Sequence, residues 1–350
     1  MKTNASALNI QLNLFCPCRS CAYYQLPDNK ITKDGVYRTK NDQHLRQMFK
    51  CGLGHHRFSE TAYSGLFRKH GSFKEYEQVA KMTCYGSSAD QIADVLGKDV
   101  RTIETWQRCI SQKAERFHNT LCLAATLTVI ALQMDELWSY LYNKNKQLWV
   151  FIGLELKTRF WFNFELGSRT INTATKLVRW INKVLPDFSA DKPLIVTTDK
   201  LAAYRHALAN SLKDKAYAYL QIVKKRFKRK LKTVEKCFVK GTAANFPEKT
   251  QNTSFVERFN LTLRQHVCYL QRKTLGYCKK KANFSNVLWI NLTSYNYLTP
   301  HKSLRILIEP NSQPRFHKRW QQRTPAMAMG LTQQILSWRF LFLVPVRVNC

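Results

Sequence analysis

Four short apolar runs constrain the fold of this chain more than any other feature of its sequence. They occupy residues 129–134, 148–154, 160–164 and 194–198. The first three are closely spaced and predict an antiparallel meander, and the fourth predicts a further buried strand. An amphipathic helix over 171–185 separates the third run from the fourth, and another helix is expected over 201–209. Strands mixed with helices in this order indicate a mixed domain of the α+β or α/β class.

Two aspartates stand at the ends of the first and fourth runs. Asp135 directly follows residues 129–134, and Asp199 directly follows residues 194–198. Because strand ends of a mixed sheet project side chains into an active-site crevice, we expect the two carboxylates to converge. Glu136 should point to the other side of an extended strand, so we interpret it as a neighbour and not as a ligand.

Helical periodicity between residues 254 and 270 supplies a third carboxylate. One arc of this predicted helix carries Phe255, Phe259, Leu263, His266, Val267 and Leu270. The opposite arc carries Glu257, Asn260 and Arg264. A helix packed through its phenylalanines would therefore present Glu257 away from the core, where it is free to act.

Three carboxylates brought together repel one another and raise one another's pKa values unless cations neutralise them. Asp135, Asp199 and Glu257 offer hard oxygen ligands, which suit Mg²⁺ or Mn²⁺. Two such ions about 4 Å apart activate an attacking hydroxyl and stabilise the leaving oxygen of an in-line displacement at phosphorus. The set therefore predicts metal-dependent phosphodiester chemistry.

The amino-terminal stretch has cysteines and histidines but few long apolar runs, so we expect it to need a metal staple. Cys18 and Cys21 form a Cys-x-x-Cys knuckle, and Cys51 follows about one hairpin later. A second knuckle would place its partner at position 54, which is glycine. His55 or His56 must then complete a Zn²⁺ site, with Cys16 as a further candidate, or the stretch is an inert remnant with free thiols.

The sequence predicts helices over residues 73–118. The sequence at 88–91 has the form of a capping box, and a helix with Asp99 as its N-cap carries apolar residues at three-and-four spacing. This pattern predicts a helix-turn-helix whose second helix enters the major groove of double-stranded DNA. Its DNA-facing residues are expected to be Arg101, Thr102, Thr105 and Arg108. The alternative is an ordinary helical hairpin with a solvated polar side.

Charge favours a polyanionic partner. Lys and Arg number 56 against 23 Asp and Glu, a net charge of +33, and the densest basic run spans residues 224–232. We expect that run to clamp DNA phosphates through Lys224, Lys225, Arg226, Lys228, Arg229 and Lys230, with Arg264 nearby. A solvated face and a nuclear localisation signal are the alternatives.

No stretch is apolar over the roughly 20 residues needed to span a bilayer, and the first residues lack the pattern of a signal peptide. The odd number of cysteines, 11, and their scattered positions favour a reducing compartment. We therefore expect a cytoplasmic protein that associates with the nucleoid and not with a membrane.

Several ordered motifs carry a family resemblance that covers roughly residues 15–310. They are Met-Asp-Glu-Leu-Trp at 134–138, Thr-Thr-Asp-Lys at 197–200, Val-Glu-Arg-Phe-Asn at 256–260, Leu-Arg-Gln at 263–265, Gln-Arg-Lys-Thr-Leu at 271–275, and the segment at 295–304. Together with the Cys-rich start and the helix-turn-helix, they resemble the insertion-sequence-one family of bacterial DDE transposases. Where that family's finger has its last cysteine, this chain has Gly54.

The resemblance implies a ribonuclease-H-like fold with its acidic triad at Asp135, Asp199 and Glu257. It also implies excision and insertion of a mobile element through terminal inverted repeats, and a homodimer or higher oligomer on DNA. The expected divisions are a zinc-finger-like unit (1–70), the helix-turn-helix (71–120), the catalytic domain (126–310) and a carboxy-terminal tail (311–350) that packs or dimerises. A DNA-binding regulator without catalysis and a general nuclease remain alternatives.

Overall fold

A computed structural model of the chain describes residues 14–346, except positions 25, 27–29, 40–41, 65–66, 68, 229, 273, 275 and 309–318. It contains two compact units. The larger comprises the described residues of segments 122–285 and 295–335, and the amino-terminal unit comprises those of segments 9–121, 286–294 and 336–350. Within the described residues, none of the helices is both long enough and apolar enough to cross a membrane.

The structure assigns strands and helices in chain order as follows. The strands are β1 (Ile31–Thr39), β2 (Asp42–Cys51), β3 (Arg57–Ser59), β4 (Ala131–Leu141), β5 (Asn143–Glu155), β6 (Trp161–Gly167), β7 (Leu194–Asp199), β8 (Tyr217–Phe227), β9 (Lys230–Lys240), β10 (Ile306–Leu307) and β11 (Trp320–Gln321). The α-helices are α1 (Phe73–Cys84), α2 (Ala89–Leu96), α3 (Val100–Ala124), α4 (Ile171–Val184), α5 (Ala202–Ser211), α6 (Ser254–His266), α7 (Lys281–Thr293), α8 (Pro325–Met329) and α9 (Trp338–Leu343).

The amino-terminal unit combines a small antiparallel sheet, in the order β1-β2-β3, with helices. The predicted capping box begins α2, because Ser88 accepts from the Gln91 N–H and the Gln91 side chain accepts from the Ser88 N–H. The Asp99 carboxylate accepts from the Arg101 N–H at 2.7 Å and so caps the start of α3, as predicted. Gly97 sits between the helices with a positive φ of 58°, a conformation that favours glycine.

The carboxy-terminal apolar segment forms α9 in this same unit. Trp338, Leu341 and Phe342 are buried there, and the Trp338 and Phe342 rings stack with their centroids 6.1 Å apart. Of the two roles expected for this segment, packing is therefore the one that the structure displays.

The larger unit is built on a six-stranded mixed sheet in the order β6-β5-β4-β7-β8-β9. The predicted meander is confirmed, since β4, β5 and β6 pair antiparallel as consecutive neighbours. β7 pairs parallel with both β4 and β8, and β9 returns antiparallel along β8. The mixed α and β class expected from the sequence is confirmed.

Helix α4 covers this sheet through buried residues at helical spacing, including Ala174, Leu177, Val178 and Ile181. Its close approach depends on Gly153 in β5, where an added Cβ would lie 2.6 Å from the Ile181 Cδ1 atom. The glycine in this strand is therefore a packing requirement.

One expectation about strand extent is wrong. The strand that was expected to end before Asp135 continues to Leu141, because β5 remains paired with it over that length. Of the basic run, residues 224–227 and 230–232 lie on strands β8 and β9 and so belong to the sheet. Dense charge concealed the strand pattern of the β8–β9 hairpin.

Glu155 is a fully buried carboxylate at the end of β5. Its Oε1 accepts from the backbone N–H groups of Ile130 and Ala131, and its Oε2 accepts from the N–H and hydroxyl of Thr158. These donors compensate the cost of burying the charge and tie the β5–β6 turn to the start of β4.

Candidate active site

The parallel pairing of β4 with β7 brings the two predicted aspartates together. In this ladder Met134 pairs with Thr198, and each is followed directly by one of the aspartates. Because β7 ends at Asp199 while β4 runs on, Asp135 lies where β4 leaves its parallel neighbour and not at the end of its own strand. The two aspartates therefore converge as expected, but Asp135 does so from within a strand and not from its end.

A carboxylate cluster forms at this position. Oxygens of Asp135, Glu136 and Asp199 all lie within 4.8 Å of one another. The expectation that Glu136 points away from the pair is therefore wrong. The Asp135 Oδ1 atom turns back to accept from the Glu136 N–H at 2.9 Å, so simple strand alternation does not separate the two side chains.

Asp135 has a raised pKa in this cluster. Burial, with the neighbouring charges of Glu136 and Asp199, raises its pKa to about 7. Its second oxygen, Oδ2, accepts from the Asn260 side-chain amide of α6 at 2.6 Å. Asp199 is held differently, with its Oδ1 accepting from the Leu201 N–H at 2.9 Å.

Glu136 has its own cationic and hydroxyl partners. Arg169 donates to its Oε1 through Nη2 at 2.6 Å and Nε at 2.9 Å, and the Tyr204 hydroxyl donates to its Oε2 at 3.1 Å. Burial and the Asp199 charge still raise the pKa of Glu136. Neither Arg169 nor Tyr204 was expected from the sequence, since both reach the cluster from distant elements.

Glu257 stands on α6 beside the cluster but outside the tight group of three. Its charge contributes to the raised pKa of Asp135, and its own side chain is 47% exposed. The Lys224 ammonium and the Thr253 hydroxyl both donate to its Oε1. Glu257 faces away from the core as predicted, but its carboxylate is paired with Lys224 and is not free.

Gln133 fixes the start of α6 against β4. Its side chain donates to the Asn252 carbonyl at 2.6 Å and accepts from the Val256 N–H at 3.0 Å. It lies two residues before Asp135 and is 1% exposed. A lone polar residue inside a predicted buried strand was the signal that could have revealed this role.

Comparison with known proteins finds a similarity in the segment that carries the two aspartates. Residues 128–243 match the sequence model of the IS1 transposase family. The IS1 InsB protein of Shigella flexneri is 25% identical over 169 residues, or 48% of this chain and 98% of that protein. The InsB protein of insertion element IS1 4 of Escherichia coli (strain K12) is 25% identical over 169 residues, or 48% of this chain and 77% of that protein.

Residues 128–243 of this chain are therefore similar to the IS1 transposase family. The segment that matches the family model contains Asp135 and Asp199, and Glu257 lies beyond it. The segment that matches the family model and the acidic cluster therefore coincide on β4 and β7.

A second ligand cluster lies in the amino-terminal unit. The Sγ atoms of Cys16, Cys21 and Cys51 lie within 4.8 Å of one another, and all three residues are buried. Burial raises the pKa of Cys16 to about 12. Burial also acts to raise the pKa of Cys51, but hydrogen bonds, led by that from the Gly54 N–H at 3.3 Å, outweigh it and lower the pKa.

The structure arranges the predicted zinc ligands differently from expectation. Cys18 contacts the Ser20 hydroxyl at 3.1 Å and is outside the group of three, whereas Cys16 is inside it. A Cβ at Gly54 would lie 2.5 Å from Cys21 Sγ and 3.3 Å from His56 Nε2, so the His56 ring and that sulfur flank the same glycine, although His56 is outside the group of three. His55 lies outside the cluster and has a positive φ of 53°.

The residues expected to face DNA on α3 are accessible. Arg101 and Arg108 are exposed, and Thr102 and Thr105 are half-buried. Ile103, Trp106 and Ile110 are buried on the other side of the helix, as the periodicity predicts.

The basic residues of the β8–β9 hairpin that were expected to contact DNA phosphates differ in their surroundings. Lys224 donates to Glu257, and Lys225 pairs with Glu235, so these two lysines have acidic partners. Lys228 is exposed at the turn, with its ammonium 5.6 Å from the centre of the Phe227 ring. Arg229, and the side chains of Arg226 and Lys230, lie outside the described part of the chain.

Proposed function

We propose that this chain is a transposase that binds the terminal inverted repeats of an insertion sequence, cleaves the DNA there and joins the ends to target DNA. The observation that carries the proposal is the convergence of Asp135 and Asp199 from paired parallel strands, with Glu257 beside them on α6. Carboxylates converging on one position are the ligand set that metal-dependent phosphodiester chemistry needs.

The residues present fit a divalent cation such as Mg²⁺ or Mn²⁺. The cluster consists of hard oxygen donors, and the burial of Asp135 among acidic neighbours is unfavourable without a positive charge. The Asn260 Oδ1 atom is buried and accepts no hydrogen bond, which leaves one more oxygen for a cation or its water.

Bound cations would supply activation of the attacking oxygen and stabilisation of the leaving oxygen. The chain's own residues position the ligands. The Asn260 amide fixes one oxygen of Asp135, the Leu201 N–H fixes Asp199, and Arg169 with Tyr204 holds Glu136. Lys224 neutralises Glu257 and must release it if that carboxylate is to bind a cation.

The remaining assignments follow from this proposal. We assign residues 126–310 to a ribonuclease-H-like catalytic domain and residues 71–120 to a helix-turn-helix that binds double-stranded DNA through Arg101, Thr102, Thr105 and Arg108. Phosphate contacts by Lys228 and the neighbouring basic residues of the hairpin would hold DNA without sequence preference. Joining two element ends requires two active sites, so a homodimer or higher oligomer assembles on DNA.

For the amino-terminal unit we propose a Zn²⁺ site with Cys16, Cys21, Cys51 and His56 as ligands. The three thiols are clustered and the His56 ring flanks Gly54 beside them, and three thiolates with one imidazole are a ligand set typical of structural zinc. His56→Ala should lower the zinc content of the purified chain, whereas His55→Ala should leave it near one equivalent. Equal loss in both variants, or none in His56→Ala, contradicts this ligand set.

Cleavage tests the catalytic proposal. The DNA that flanks the gene should contain short inverted repeats, and a supercoiled plasmid carrying them should be cut at their ends in Mg²⁺ but not in EDTA. Asp135→Asn, Asp199→Asn and Glu257→Gln should each abolish cutting and retain DNA binding. Cutting without any requirement for the repeats would instead indicate a general nuclease.

A further inference from the structure

A cavity of about 490 Å³ opens in the larger unit between β4 and the chain that follows α6. Trp138 and Tyr140 of β4 line one part of it, and Arg264 of α6 lines another. Arg272 and Tyr277 contribute from the segment after α6. Its size is within the range of sites that hold small organic ligands.

The cavity and the acidic cluster share two elements, β4 and α6. Trp138 follows Asp135 by three residues on β4, which is roughly 10 Å of extended chain. Arg264 follows Asn260 by about one helical turn, and the Asn260 amide donates to Asp135. The segment after α6 is held to β4 by the Ser139 hydroxyl, which donates to the Tyr269 carbonyl at 2.9 Å.

Aromatic rings form much of the lining. The Trp138 and Tyr140 rings have centroids 5.4 Å apart at an interplanar angle of 40°, and both residues are partly accessible. Tyr277 is 43% exposed at the rim. Partly exposed rings at the wall of a cavity offer faces on which a planar heterocycle stacks.

The charge of the lining is positive. Arg264, Arg272 and Lys144 line the cavity, and the described residues that line it include no aspartate or glutamate. Burial and the nearby Arg272 charge lower the pKa of Arg264, as expected when two guanidinium groups approach each other. Arg264 is held in place by donating to the Leu270 carbonyl at 3.2 Å. An anion that contacts both guanidinium groups would offset the repulsion between them.

We propose that this cavity binds an unpaired nucleotide, with its base stacked on Trp138 and its phosphate held by Arg264 and Arg272. The same chemistry fits a free mononucleotide and one nucleotide of a DNA strand. The short path to Asp135 favours the strand, because DNA at the acidic cluster would extend into the cavity within a few nucleotides. The identity of that strand, but not the nucleotide site itself, rests on the proposed function.

A fluorescent base tests the proposal. The probe is a duplex with a three-nucleotide single-stranded tail that carries 2-aminopurine, compared with the same duplex without a tail and with free dAMP as competitor. The full chain should quench the 2-aminopurine and prefer tailed over blunt duplex. Trp138→Leu should abolish the quenching and weaken tail binding by about 5-fold to 150-fold, the range for loss of one base–aromatic stack.

Two further variants complete the test. Trp320→Leu removes a tryptophan that lies over Arg305 and does not line the cavity, so it should quench like the wild-type chain. Arg272→Gln changes an exposed residue and should weaken tail binding several-fold with a smaller salt dependence, even if Trp138→Leu fails to fold.

Unchanged quenching in a folded Trp138→Leu chain, or unchanged tail affinity in Arg272→Gln, overturns the proposal. Displacement of the tail by dAMP at equal concentration, with no preference for tailed over blunt duplex, overturns the assignment to a DNA strand. Asp135→Asn should quench normally, so loss of cleavage in that variant and loss of the nucleotide site are separate outcomes.

Discussion

Lys113 of α3 provides a quantitative test of the amino-terminal unit. Its side chain enters the interior, where the residue is 7% exposed, and its ammonium donates to the carbonyls of Tyr63, at 3.0 Å, and Val344. Burial, with the nearby Arg116 charge, lowers its pKa from 10.5 to about 7. The two carbonyls favour the charged form, but burial dominates.

The lowered pKa of Lys113 makes the free energy of unfolding increase with pH. Between pH 7 and pH 10.5 the unfolded chain retains the Lys113 proton that the folded chain has lost, so the free energy of unfolding rises with pH. At 1.36 kcal/mol for each unit of pKa difference, this group should add about 2 kcal/mol between about pH 7 and pH 9. Below the folded-state pKa, both states hold the proton and the penalty for burying the charge is complete.

Lys113→Met removes this dependence and leaves the other titrating groups in place. We expect urea unfolding, followed by circular dichroism, to show the wild-type chain gaining about 2 kcal/mol over the variant from about pH 7 to pH 9. Lys74→Met, at an exposed position of α1, is the matched control and should track the wild-type chain. Parallel pH profiles for wild type and Lys113→Met would refute the reasoning.

Three further changes probe the larger unit. Glu155→Gln places an amide among four donors and should lower the free energy of unfolding by about 2–4 kcal/mol in urea, whereas exposed Glu248→Gln should change it by less than about 0.5 kcal/mol. Gly153→Ala should cost about 1–3 kcal/mol in the same assay, because its Cβ meets Ile181 of α4; no loss would contradict that packing. Asn260→Leu should slow DNA cleavage about 10-fold to 100-fold with an unchanged circular dichroism spectrum, because Asp135 loses its orienting amide; a full cleavage rate would show that Asn260 has no positioning role.

The sequence predicted the elements whose periodicity was strong. Apolar runs located the core of the meander and β7, and helical spacing placed Glu257 on the correct side of α6. The caps at Ser88 and Asp99 were also predictable, because capping depends on residues within a few positions of each other.

The parts that could not be predicted depend on long-range contacts. The Lys224–Glu257 and Arg169–Glu136 pairs join residues that are distant in sequence. Cys16 likewise lies near Cys51, which is distant in sequence. The position of Glu136 departs from strand alternation, because Asp135 binds the adjacent N–H where β4 leaves β7. A local pattern carries no information on either kind of contact.

Strand transfer tests the central claim, that Asp135, Asp199 and Glu257 form one catalytic site. The assay joins a duplex that ends in the element's repeat, with an exposed 3′ hydroxyl, to a target plasmid in Mg²⁺. Asp135→Asn, Asp199→Asn and Glu257→Gln should each slow joining by at least about 1000-fold and keep repeat affinity within about 3-fold. Asp187→Asn, at an exposed position, should join at the wild-type rate. Joining at the wild-type rate by any of the three variants would contradict the account.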